Sequence, residues 1–227
     1  MNSWKTAFRS FYYEDMIEPP PIALPPRETV LLVIDIQACY LPEEKAANEC
    51  EQEWSRWQPF RARMTQTVIP NTQLLIDHFR AHNQDVIWAR IACLLPDGRD
   101  RSLSQARPGF NNLLLPKDSD ASQIAPQLRV LDDEIVVTKA TDSVLTGTNL
   151  RLVLHNMGVK NVVVAGIFTD QCVSSSVRSL ADESFNVVVV EDACAAATDE
   201  LHRHELTIIN NIYCQVVRTD ELLEILK

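Results

Sequence analysis

Asn161-Val-Val-Val-Ala-Gly-Ile-Phe-Thr-Asp-Gln-Cys-Val-Ser-Ser-Ser-Val-Arg-Ser-Leu180 reads as an apolar strand that runs directly into a helix. Its first half is apolar on both faces, as a strand covered on both sides of a parallel sheet must be. Cys172 falls where the helix opens. There, unpaired backbone N–H groups and the positive end of the helix dipole favour a thiolate over a thiol. The stretch predicts a βα unit and, at its joint, a nucleophilic cysteine of depressed pKa.

Outward from this stretch, short Val- and Ile-rich runs recur at 30–34, 86–91, 134–138 and 186–190, with a weaker one at 215–217. Helical patterns lie between them at 70–81, 147–156, 172–183 and 199–211, the first carrying Leu74, Leu75, Ile76 and Phe79. Strand and helix alternating in this way predict an α/β fold, a doubly wound parallel sheet with right-handed crossovers.

The 227 residues, 46% of them hydrophobic, suffice for one well-buried domain. Residues 1–28 read as an arm ahead of a domain at 29–227, because Pro19-Pro-Pro-Ile-Ala-Leu-Pro-Pro26 cannot sit in a helix or a central strand. Trp4, Phe8, Phe11 and Tyr12 would share one face of a short helix in that arm and pack on a neighbouring surface, another subunit included. Two further segments break the alternation: 42–61, with Trp54 and Trp57, and a long connection at 92–129, of the kind that closes over a site.

A formal net charge of −10 argues against nucleic acid or an anionic membrane as partner. Cys39, Cys50, Cys93, Cys172, Cys194 and Cys214 show no Cys-x-x-Cys spacing, which fits free thiols in a reducing compartment. With no apolar leader and no run long enough to span a bilayer, the expected location is the cytoplasm.

Ligands of open parallel sheets bind beyond the carboxyl ends of the strands. Asp35 ends the first run, Lys139 the third, and Cys172 follows the fourth. A carboxylate, an ammonium and a thiol at one sheet edge are costly unless they pair. Paired, the carboxylate can accept the thiol proton while the ammonium favours both anions, which activates a nucleophile without histidine. Each residue alone has another reading: Asp35 as a metal ligand or loop cap, Lys139 as a solvated charge, Cys172 as a small buried hydrophobe. A dinucleotide Gly-x-Gly-x-x-Gly turn, a Walker loop and a Gly-x-Ser-x-Gly elbow are all missing.

Four motifs stand in order: Val33-Ile-Asp35-Ile-Gln37 with Tyr40; Lys139-Ala-Thr-Asp-Ser143 leading to Thr148-Asn-Leu150; Gly166-Ile-Phe-Thr-Asp-Gln-Cys172-Val; and Glu191-Asp-Ala193 followed by His204. In these the chain, from 29 to 226, resembles the isochorismatase-like cysteine hydrolases, whose amidohydrolase branch includes nicotinamidases and N-carbamoylsarcosine, ureidoacrylate and biuret hydrolases. The resemblance implies a three-layer α/β/α, Rossmann-like six-stranded sheet, an Asp35, Lys139, Cys172 triad, and a cis peptide between Ile167 and Phe168 that aims the N–H groups of Phe168 and Cys172 at an oxyanion. It further implies a cofactor-free enzyme that cleaves a small amide, ureide or carbamoyl compound and assembles as a homodimer or homotetramer.

The sequence departs from the family in two places. The Asp-x-His metal motif of nicotinamidases is replaced by Trp88-Ala-Arg-Ile-Ala-Cys93, so no metal is expected, and Ala38 and Cys39 stand where Asn and Asp are usual. Vinyl-ether hydrolysis of the isochorismatase type, and a non-catalytic interaction subunit, are the competing readings.

Expected substrate-binding residues are Gln37, Tyr40, Trp88, Arg90, Ser143, Phe168 and Thr169. Arg90 offers a bidentate fork to a substrate carboxylate or to an internal acid, and both readings stand. Arg99, Arg101 and Arg107 read as a solvated loop, Trp54 and Trp57 as pocket or interface residues. His204 is expected to be structural, and His78, His82 and His155 to lie at helix surfaces.

Overall fold

The computed structural model of the chain describes residues 4–16, 18–47, 49–108 and 112–227. The parts of the arm at 1–3 and 17, of the 42–61 segment at 48 and of the long connection at 109–111 lie outside the described residues. The six apolar runs form β1 (Thr29–Ile34), β2 (Val86–Ile91), β3 (Ile135–Lys139), β4 (Asn161–Ile167), β5 (Asn186–Ala195) and β6 (Gln215–Val217). They pair in the order β3-β2-β1-β4-β5-β6, every pair parallel. The chain winds outward from β1 to β3 and then restarts at β4 on the other side, which puts the topological switch point between β1 and β4. Asp35 follows one of those two strands and Cys172 the other.

Among the described residues seven helices cover the sheet: α1 (Glu51–Arg56), α2 (Gln58–Arg63), α3 (Ile69–Ala81), α4 (Leu150–Asn156), α5 (Ser174–Asp182), α6 (Asp199–Ile209) and α7 (Thr219–Ile225). Side-chain alternation along the strands splits the core in two. Val30, Leu32 and Ile34 of β1 pack with residues of α4, α5 and α6, while Leu31 and Val33 pack with residues of α2, α3 and α7. β1 and β4 are buried along their whole length, but edge strand β3 is not: Ile135 and Val136 are 36% and 40% exposed. The sequence pattern missed α7, a seven-residue helix in which Thr219 and Leu222 are buried, too short to show a period.

Gly166 makes the switch point possible. It pairs with Ile34, has φ +129°, and a Cβ built on it would lie 2.0 Å from the Ile34 carbonyl oxygen. Only glycine lets the ends of β1 and β4 come this close.

The arm behaves differently from a single-faced helix. Phe8 has φ +49°, which ends the first turn, and a separate short 3₁₀ turn follows at Phe11–Tyr13. Trp4 and Phe8 pack against the chain's own cores, and the amide of Asn210 donates to the carbonyls of Ala7 and Phe8, both at 3.1 Å. Phe11 and Tyr12 remain exposed, so the four aromatics divide between two environments.

Candidate active site

Asp35 leaves β1 in the left-handed region at φ +53°, which a short polar side chain tolerates, and its side chain is buried at the switch point. Lys139 ends β3, two strands away, and its full-length side chain is buried as well. Its ammonium donates to Asp35 Oδ2 at 2.7 Å, to Cys172 Sγ at 3.2 Å and to the Thr141 carbonyl at 3.1 Å. Three donors with three acceptors is the condition under which a buried ammonium is tolerable. The structure thus brings Asp35, Lys139 and Cys172 together through one cation.

Cys172 does not open an α-helix. It sits in a wide π-type turn, Thr169–Val173, that precedes α5, and it is only 6% exposed. Burial pushes its thiol well above the ordinary range, the Asp35 carboxylate adds to the rise, and Lys139 only partly opposes it. The expected depressed pKa is therefore overturned, because desolvation outweighs the cation. Burial also raises Asp35 against the pull of Lys139. Lys139 itself is raised: burial pushes it down, but Asp35 and Cys172 prevail. The 2.7 Å contact between the Lys139 ammonium and Asp35 is the geometry of an ion pair, and burial pushes up both the carboxyl and the thiol that this ammonium touches. Asp35 Oδ1 is buried and has no hydrogen-bond partner.

Asp35 and Cys172 open into a cavity of about 570 Å³. Tyr40, Trp57, Phe60, Ile91, Leu113, Ile167 and Phe168 give it apolar walls, and the rings of Tyr40 and Phe60 lie 5.2 and 5.1 Å from that of Phe168. Glu49, Arg61, Gln105, Asp142 and Gln171 supply polar lining. The 42–61 segment and the long connection are both walls of this cavity, as excursions over a sheet edge often are.

Of the expected substrate-binding residues, Tyr40 and Phe168 line the cavity and five do not. Gln37 is a buried strut: its amide donates to the carbonyls of Ile91 and Ser122 and accepts from the Ile91 N–H. Trp88 is fully buried in the core on the α3 side, where its indole N–H donates to Glu134 at 2.8 Å. Arg90 shares that side of β2 and donates to Thr138 Oγ1 and Gln123 Oε1, outside the lining of the cavity and, among the described residues, in no salt bridge. The alternation of β2 explains both, since Ala89 and Ile91 take the other face. The Ser143 hydroxyl donates to Ser179, and Thr169 Oγ1 lies 2.8 Å from His202 Nδ1.

His202, not His204, is the structural histidine: His202 is 2% exposed and His204 faces solvent. Arg63 donates to His202 Nε2 at 2.9 Å, which leaves the proton on Nδ1 to donate to Thr169. Burial lowers the His202 pKa and keeps the ring neutral, although Glu191 opposes. The turn that carries Cys172 is thereby tied to α2 and α6. Arg101 is not a solvated loop residue either, since it donates to the carbonyls of Gly98 and Leu113.

Sequence reading missed Asp142, Gln105, Phe60 and Arg61. Asp142 was visible within the Lys139-Ala-Thr-Asp-Ser143 motif, but nothing local marks it as facing the sulfur. All six cysteines are free. Among the described residues no group of three or more His, Cys, Asp or Glu is arranged to hold a metal ion, and no helix is long and apolar enough to cross a membrane.

The fold is a doubly wound parallel sheet with helices on both faces, and a thiol, a carboxylate and an ammonium are buried together at its carboxyl edge. Residues 29–221 match the isochorismatase domain, and the chain belongs to the isochorismatase family. It is 27% identical to the ureidoacrylate amidohydrolase of Agrobacterium fabrum over 77% of this chain and 79% of that protein. It is 28% identical to a probable inactive nicotinamidase of Arabidopsis thaliana over 82% of this chain and 90% of that one. In fold it is similar to a cysteine hydrolase from Pseudomonas syringae, with a TM-score of 0.77 at 22% identity over 92% of this chain and 98% of that chain.

Proposed function

We propose that the protein is a cysteine hydrolase that cleaves the C–N bond of a small amide, ureide or carbamoyl compound through a thioester, without a metal. The observation that carries this reading is the single buried Lys139 ammonium in contact with both Asp35 and Cys172 at the edge of a 570 Å³ cavity.

Burial raises the pKa of the thiol, so in this reading its proton leaves as the sulfur attacks. Asp35 accepts the thiol proton as Sγ bonds to the carbonyl carbon, the negative charge passes to the carbonyl oxygen, and Lys139 keeps the carboxyl and the sulfur in place. The backbone N–H groups of Phe168 and Cys172, in the turn that faces the cavity, receive the oxyanion. The tetrahedral adduct collapses with cleavage of the C–N bond, and Asp35 returns its proton to the departing nitrogen as ammonia or an amine. Water then attacks the thioester while Asp35 takes one of its protons. The C–S bond breaks, the acid leaves, and the sulfur regains the proton.

The test is ammonia release from a panel of amides, ureides and carbamoyl compounds. Cys172→Ala should abolish turnover, by about 10⁴-fold or more, with little change in Tm. Turnover that survives this replacement removes Cys172 from the mechanism.

A further inference from the structure

We propose that Asp142, oriented by Gln105, is a substrate-binding residue that accepts a hydrogen bond from an N–H of the substrate beside the scissile carbonyl, and that it selects uncharged or cationic compounds over anionic ones. This rests on the amide-type hydrolase reading and narrows its substrate class. Asp142 Oδ1 lies 3.7 Å from Cys172 Sγ and receives the Gln105 side-chain amide at 2.6 Å. Among the described residues nothing donates a hydrogen bond to its second oxygen. Both Asp142 and Gln105 line the cavity. A substrate whose acyl carbon sits over the sulfur therefore places its neighbouring groups against a carboxylate that can only accept.

The charges around the cavity point the same way. Its described lining holds three carboxylates, Asp35, Glu49 and Asp142, and one cation, Arg61. Asp35 is matched by Lys139, which leaves Asp142 and Glu49 facing Arg61 alone. The arginine that might have clamped a carboxylate, Arg90, is bound to Thr138 and Gln123 away from the lining. Arg61 itself stacks over the Trp54 ring at 3.7 Å and donates to the Trp54 carbonyl. A carboxylate acceptor beside the reacting carbon suits an N–H group of a ureide, a carbamoyl amine or a primary amide, and opposes a carboxylate near that carbon.

The experiment compares alkylation of Cys172 by neutral iodoacetamide and anionic iodoacetate, read on the Cys172 peptide by mass spectrometry so that the other thiols do not contribute. The ratio of the two rates cancels changes in thiol ionisation. In the intact protein the neutral reagent should be favoured about tenfold more than in a free peptide of the same sequence, and Asp142→Asn should remove most of that excess. An intact-protein ratio equal to the peptide's, or a ratio that Asp142→Asn leaves unchanged, overturns the proposal. Asp142→Ser serves if the Asn variant does not fold. With any amide the enzyme turns over, Asp142→Asn should raise KM about tenfold for neutral and cationic substrates with kcat nearly kept; a fall in kcat alone also overturns it. If no amide is hydrolysed at all, the amidohydrolase reading fails, and the alkylation ratio still decides the charge selectivity of the site.

Discussion

The floor of the cavity and its walls are built by different physics. Asp35, Lys139 and Cys172 are 2%, 1% and 6% exposed, and each stands at or just past the end of a strand whose direction is fixed by a parallel ladder. The wall residues Tyr40, Trp57, Arg61, Leu113 and Asp142 are half-buried, and they come from a short 3₁₀ turn, the helices after it and two long connections. A sheet edge holds charges where they cannot relax, which preorganisation of a reaction needs. Connections can change length and composition without disturbing the sheet, which suits substrate choice. In the proposed function the chemistry belongs to the floor and the selectivity to the wall.

The largest expected effect strikes the floor. Lys139→Met leaves the Asp35 carboxylate buried and unpaired, and should cost about 3–5 kcal/mol in urea unfolding along with all turnover. Adding Asp35→Asn should recover a good part of the stability and none of the activity. If Lys139→Met unfolds like the parent protein, the ion pair is not what fixes the floor.

A smaller effect concerns pH. Asp35 must be ionised to take the thiol proton, and burial raises its pKa above the ordinary 3.8, so kcat/KM should fall with acid along a limb centred above that value. Cys172 is raised well above 9.0, so its alkylation by iodoacetamide should keep accelerating beyond pH 9, and Asp35→Asn should bring that rise to lower pH. A rate that levels off below pH 9 would mean a resting thiolate and would erase the distinction between a protonated floor and an activated one.

The smallest effect lies in the wall. Trp57 packs its ring 5.6 Å from Phe60 and 6.1 Å from Phe168 and is only partly buried. Trp57→Ala should cost about 1–2 kcal/mol of stability, less than Lys139→Met, and should raise KM about tenfold with kcat nearly unchanged. A loss confined to kcat would place Trp57 in the floor's function and break the division.

Much of the floor was legible in the sequence because its signals are local. An apolar run closed by one ionisable residue marks a strand end, and three such ends in a wound sheet converge. The wall was less legible: Trp88 and Arg90 stand near a strand end, yet their position in the two-residue alternation turns them away from the cavity and leaves Ile91 facing it. His202 and His204 lie two residues apart on α6, about 200° around the helix, so one is buried and the other exposed. Only the packing of α6 against the Thr169–Val173 turn decides which.

By itself the sequence determined the class of the fold and the three side chains that meet at the sheet edge, since hydrophobic period and strand-end chemistry are properties of short segments. Tertiary structure decided the rest: the burial that raises the Cys172 pKa, the facing of Asp142 and Gln105 toward it, and the placing of 42–61 along the cavity. Desolvation and the paths of connections depend on neighbours distant in the chain, and no local pattern encodes them.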